Sequence, residues 1–211
     1  MYTIMVIDDS PFIVDIFVTM LQRGGYQTVA AYGGQEALDT LATVKPDIIL
    51  LDIMMEPMDG WETLINLKNS PEIRDIPVMM LTAKQLTPRE AQEYGIYIED
   101  YIMKPITHKE LYEAIEGQLN RKRMIEIDIQ MATEAGVDAK TIDEYRRLRK
   151  SIDINKRLLK LLENTYKISD EKVKLGDEVG IAIRSMDMNI HFQEERLEQL
   201  RCEFSAMAPP V

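Results

Sequence analysis

The 211-residue chain carries one cysteine, Cys202. No internal disulfide can form, as suits a reducing compartment. No apolar run approaches the roughly 18–20 residues of a membrane-spanning helix. The opening MYTIMVIDDS has no basic segment and meets two acids at once. Neither a signal peptide nor membrane association is expected, and the expected location is cytoplasmic. Positive charge is scarce at first: residues 1–121 hold 9 Lys+Arg against 19 Asp+Glu. Such a surface repels phosphate backbones and makes a poor nucleic-acid face. Residues 122–211 hold 16 against 17, and within 140–160 eight basic residues face three acidic ones, so the candidate basic patch lies there. No nucleotide-cyclase, phosphodiesterase or methylesterase signature is present.

Apolar, β-rich runs recur at 3–7, 26–30, 47–51, 77–81 and 97–102, separated by segments with helical spacing such as Ile13, Ile16, Phe17, Met20 and Leu21. Alternation of this kind predicts an α/β fold, a doubly wound five-stranded parallel sheet with helices on both faces. The near-continuous apolar runs at 3–7, 47–51 and 77–81 agree, since a parallel strand is buried on both sides.

In open parallel sheets, ligands sit outside the carboxyl ends of the strands at the switch point of strand order. The first run ends at Asp8-Asp9, the third at Asp52, the fourth at Thr82-Ala83 and the fifth at Lys104-Pro105. Three carboxylates on one rim raise each other's pKa values unless a cation joins them, which points to Mg²⁺ or Mn²⁺ completed by a phosphate. Lys104 supplies a point charge for an anionic oxygen, Thr82 a hydroxyl donor, and Asp52 a nucleophile able to form an acyl phosphate.

These motifs, IDDS, LLDIMM, MDGWE, MLTAK and YIMKPI, resemble a receiver domain of a two-component response regulator, over residues 1–121. The resemblance implies that Asp52 accepts phosphate from a sensor histidine kinase and that Asp8, Asp9, Asp52 and the Met54 backbone carbonyl hold the metal. It implies that Thr82 and Tyr101 form the switch, with Ala83 beside them, and that Lys104-Pro105 is cis. It implies a phosphoprotein without turnover of another substrate, apart from slow autodephosphorylation. The stretch MMEPMDGW departs from most receivers in carrying Glu56 before Pro57, and resembles receivers of methanogenic archaea. Glu56 and Lys84 are candidate tuners. Glu56 has three readings: touching a metal-bound water, repelling the phosphoryl group, or pointing to solvent.

After residue 122 no β-run recurs. Tyr145, Leu148, Ile152, Asn155, Leu159, Leu162 and Tyr166 follow heptad spacing, as do Val179, Ile183, Met186, Ile190, Gln193, Leu197, Leu200 and Phe204. This predicts a helical hairpin over 122–205, with Asp170 as N-cap of the last helix and a disordered tail at 206–211. The module is expected to act by homodimerisation through its helices or by docking a downstream protein. An alternative output is DNA binding through a helix-turn-helix near 128–147, with Arg146, Arg147, Arg149 and Lys150 as contacts. Against it, Asp138, Asp143 and Glu144 would face the groove. A further alternative, phosphotransfer through His191, lacks the small residues and lysine such sites usually show.

Overall fold

The computed structural model describes the backbone of residues 1–166 and 178–207, with side chains through Phe204. The described residues form two compact units: Met1–Gln85 with Tyr97–Ala114, and Leu86–Ile96 with the described residues from Ile115 onward.

In the first unit, β1 (Thr3–Ile7), β2 (Gln27–Ala31), β3 (Ile48–Leu51), β4 (Val78–Thr82) and β5 (Asp100–Met103) form one sheet in the order β2-β1-β3-β4-β5. All four pairings are parallel. Helices α1 (Pro11–Arg23), α2 (Gly34–Leu41) and α3 (Gly60–Asn69) connect the strands. Every residue of β3 and β4 is buried, as their unbroken apolar sequences require. The chain leaves β1 toward β2 on one side and returns to β3 on the other, so the switch point lies between the carboxyl ends of β1 and β3. The fifth strand corrects the expected 97–102. Gly95–Tyr97 forms a short 3-10 turn instead, and pairing starts at Asp100, opposite Met79.

The second unit is helical: α4 (Pro88–Tyr94), the greater part of α5 (His108–Glu134), α6 (Ala139–Tyr166) and α7 (Glu178–Met207). Thr87 and Glu90 cap α4 reciprocally, and Thr107 and Glu110 do the same for α5. The α5–α6 turn uses Gly136 at φ +82°, followed by Asp138, whose carboxylate accepts from the Lys140 and Thr141 backbone N–H groups. Helices α6 and α7 pack together around Tyr145, Ile152, Leu197 and Leu200. The α7 heptad is buried as read, through Ile183, Met186, Ile190, Leu197 and Leu200. Helix α6 does not bury its heptad alone or whole: Ile154 and Leu158 are covered too, Tyr166 is exposed, and Gly95, just after α4, lies against the Leu158 side chain. Helix α4 itself packs on α7. Asp170 lies outside the described residues. The expected disordered tail is corrected in part, because α7 continues through Met207; residues 208–211 lie outside the described ones. Among the described residues no helix is long and apolar enough to cross a membrane.

Candidate phosphoryl-acceptor site

The strand ends bring Asp8, Asp52, Thr82 and Lys104 together at the carboxyl edge of the sheet. Backbone pairing continues just past β3, where the Asp52 N–H donates to the Ile7 carbonyl. Asp8 is 3% exposed, Asp52 7% and Thr82 0%. Lys104 Nζ lies 2.5 Å from Asp8 Oδ2 and 3.5 Å from Asp52 Oδ1, and 5.8 Å from the centre of the Phe17 ring. The ammonium thus sits between two buried carboxylates, with the ring face adding a weaker attraction. Asp8 Oδ1 accepts from the Ser10 N–H at 2.9 Å, which fixes its direction. Asp52 Oδ1 is buried without a hydrogen bond. An unbonded carboxylate oxygen held beside a cation is costly unless a ligand uses it.

Asp9 is exposed, and its Oδ2 accepts from the Glu56 backbone N–H at 3.2 Å. That bond joins the β1 end to the loop after β3. The Glu56 side chain is exposed, as is Met54. Both Lys104-Pro105, as expected, and Glu56-Pro57, not foreseen, are cis. Ala83 is exposed at the rim. The Lys84 N–H donates to Thr82 Oγ1 at 3.2 Å, and the Lys84 carbonyl accepts from the Tyr101 hydroxyl at 2.8 Å. Tyr101 is already buried, near Trp61. Its inward position exists here with Thr82 bonded to the backbone of Lys84.

Two features of the site escaped the sequence reading. The Gly60 N–H donates to the Ile53 carbonyl at 3.0 Å, and a Cβ on Gly60 would stand 2.1 Å from the Asp52 carbonyl oxygen. The glycine lets α3 start against the backbone that carries Asp52, with Asp59 capping that helix. The Asp59-Gly60 pair was its visible signal. The approach of Phe17 to Lys104 had none, since it depends on how α1 packs.

Among the described residues no three carboxylate, imidazole or thiolate groups are gathered closely enough to ligate a metal as they stand. The chemistry of the donor set still fits a hard divalent cation. The Asp8 and Asp52 carboxylates share one ammonium, one Asp52 oxygen is unbonded, and Asp9 lies on the adjoining loop.

The output candidates are placed differently. Arg146 pairs with Asp143 at 2.8 Å, and Arg147 Nε donates to the Asp143 carbonyl at 3.3 Å. Arg149 and Lys150 are half-buried. Glu144 holds Arg196 through two bonds, which keep its carboxyl below the usual range. Ala132, Val137 and Ile142 are buried together in the α5–α6 corner. His191 is exposed on α7, its Nδ1 2.9 Å from the Asp187 carbonyl, which raises its pKa.

Three kinds of match follow this geometry. The family model described as response regulator receiver domain matches residues 4–116, more than half of the chain. The model described as "Metanogen output domain 2" matches residues 121–208. Among solved structures, the signal receiver domain of a signal transduction histidine kinase from Syntrophus aciditrophicus is 30% identical, with TM-score 0.52, covering 57% of this chain and 91% of that one. The chemotaxis protein CheY4 of Vibrio cholerae is 26% identical, with TM-score 0.52, covering 55% and 97%. The N-terminal domain of a response regulator receiver protein from Methanoculleus marisnigri is 67% identical over 56% and 95%, with TM-score 0.49. A five-stranded parallel sheet with its acids and lysine at the carboxyl edge, and a receiver model spanning that sheet, place this chain in the response regulator receiver family.

Proposed function

We propose that the protein is a phosphorylation-activated response regulator that takes a phosphoryl group from a sensor histidine kinase onto Asp52. The observation that carries this is the unbonded Asp52 Oδ1, buried 3.5 Å from Lys104 Nζ. An Asp52 oxygen attacks phosphorus, and the P–N bond of the donor phosphohistidine breaks. The imidazole leaves with the electron pair and takes up a proton. Asp52 is left as an acyl phosphate, which water later cleaves to the carboxylate and inorganic phosphate. Lys104 moves from Asp8 toward the new anionic oxygens, because a phosphoryl group adds about −1.5 to −2 charges. Thr82 turns its hydroxyl from the Lys84 N–H toward one of them.

Asp8, Asp9, Asp52 and the Met54 carbonyl are the residues that would hold Mg²⁺ or Mn²⁺, replacing the charge Lys104 gives up. The ion supplies neutralisation of the charge developing on the phosphoryl oxygens. Exposed Glu56 projects to solvent and is not required for transfer. Receivers generally act as signalling modules, and no second substrate is proposed. Output passes through the helical unit by dimerisation or docking of a protein partner. The intrahelical use of Arg146 and Arg147 and the acids beside them favour protein over DNA.

Incubation with acetyl phosphate and Mg²⁺, read by intact mass and phosphate-affinity electrophoresis, tests the site. The wild type gains one phosphoryl group, and Asp52→Asn and Asp52→Ala gain none. Stoichiometric labelling of Asp52→Ala removes Asp52 from the role.

A further inference from the structure

Helices α6 and α7 bury Tyr145, Ile152, Leu197 and Leu200 of their heptads against each other. Two exposed apolar lines lie outside that packing: Ile181, Met188 and Phe192 on α7, and a second on α5. On α5, Met124 is 51% exposed, Ile127 42% and Met131 65%. Their spacing of three and four places them on one line, which Asn120 and Gly117 extend toward the helix start. The opposite side of α5 is the covered one, through Ile115, Gln118 and Ala132. Single exposed apolar residues are ordinary, whereas three in alternating register form a seam.

We propose that Met124, Ile127 and Met131 form a homodimer interface, in which the α5 helices of two copies pair in parallel as a short coiled coil. The proposal specifies the dimerisation route of the function above and rests on that reading for its signalling role. With Met124 and Met131 at a and Ile127 at d, Glu116 and Arg123 fall at g, and Arg121 and Asp128 at e. A parallel pair sets each g residue beside the e residue five places on in the other helix. Glu116 then meets the partner's Arg121, and Arg123 meets the partner's Asp128. Both contacts join opposite charges, and two-fold symmetry makes each of them twice.

Hydrogen bonds within the chain already fix where the e residues stand. Arg121 donates to Gln118, and Asp128 accepts from the Tyr145 hydroxyl at 2.6 Å. Asn120, at d, decides the direction. In parallel its amide faces the partner's Asn120 and can bond to it; antiparallel pairing sets it against an apolar Met131. A polar d layer that bonds only to itself selects the register. The seam is short, but α5 is already ordered by its own unit, so association does not have to fold it.

Sedimentation and light scattering of the full chain, over a concentration series with and without beryllofluoride and Mg²⁺, test the interface. A concentration-dependent dimer is expected. Met124→Glu or Ile127→Glu should weaken it on the order of a hundredfold with helix content unchanged by circular dichroism, since a carboxylate enters the seam. Met188→Glu, also at an exposed apolar residue but on α7, should leave it intact. In a Cys202→Ser background, Ile127→Cys should cross-link to itself on oxidation, and Met188→Cys should not. A monomer under both conditions overturns the proposal, as does a dimer indifferent to both glutamates. Cross-linking of Ile127→Cys only to Met124→Cys in mixed samples overturns the parallel arrangement. Asp52 labelling in the same samples separates the two readings: a labelled monomer defeats the interface alone, and an unlabelled dimer defeats the phosphoryl-acceptor reading alone.

Discussion

Asp52 is held by what surrounds its backbone as much as by what meets its carboxylate. Gly60 is the sharpest instance, since any Cβ there would collide with the Asp52 carbonyl oxygen. Gly60→Ala is expected to cost about 2–3 kcal/mol, as for an overpacked core. Chemical denaturation measures this, and slower acetyl phosphate labelling should accompany it because the strand end must shift. The candidate site residues were legible in the sequence because four of the five apolar runs stop on one of them, and a parallel sheet gathers strand ends. Gly60 was legible only as half of a turn pair. The contact of Phe17 with Lys104 and the bond from Tyr101 to the Lys84 carbonyl join residues far apart in sequence, which no local pattern encodes.

At the scale of elements, periodicity identified α7 well and β5 poorly. A long helix repeats its signal over many turns. A four-residue strand offers one or two alternations, and the partner strand sets its register. The α6 seam matches burial only in part, because Ile154 and Leu158 are covered outside the heptad while Tyr166 within it is exposed. Leu200, fully buried between α6 and α7, gives a direct test: Leu200→Ala should destabilise the helical unit by about 2–5 kcal/mol in denaturant. The Glu144–Arg196 pair joins the same two helices. The Glu144 carboxyl lies below its ordinary value, chiefly through its hydrogen bond with Arg196. A folded value below the unfolded one gives stability that is present above the unfolded value, about 4.3, and is lost as pH falls through the folded value. Both side chains are over a third exposed, so the effect is small and screened by salt. Melting at low salt should show a drop on acidification through that window, shallower in Glu144→Gln.

On the scale of the whole molecule, the order along the chain and the order in space differ at one element. The matched receiver residues 4–116 include α4, yet α4 packs in the helical unit. The residues that lead into it, Thr82 through Gln85, remain with the sheet and include the Thr82–Lys84 bond. Under the proposed function α4 takes part in two equilibria, and linkage then makes the exchange reciprocal. If phosphoryl binding displaces α4, whatever grips α4 must alter phosphoryl binding by the same factor. Leu158→Ala, which thins the packing around Gly95, should thus change the affinity for beryllofluoride, measured by Trp61 fluorescence, although it lies outside the matched receiver residues. Under the proposed function the helical unit would be a standing load on the switch, setting how much phosphorylation is needed before the signal is read.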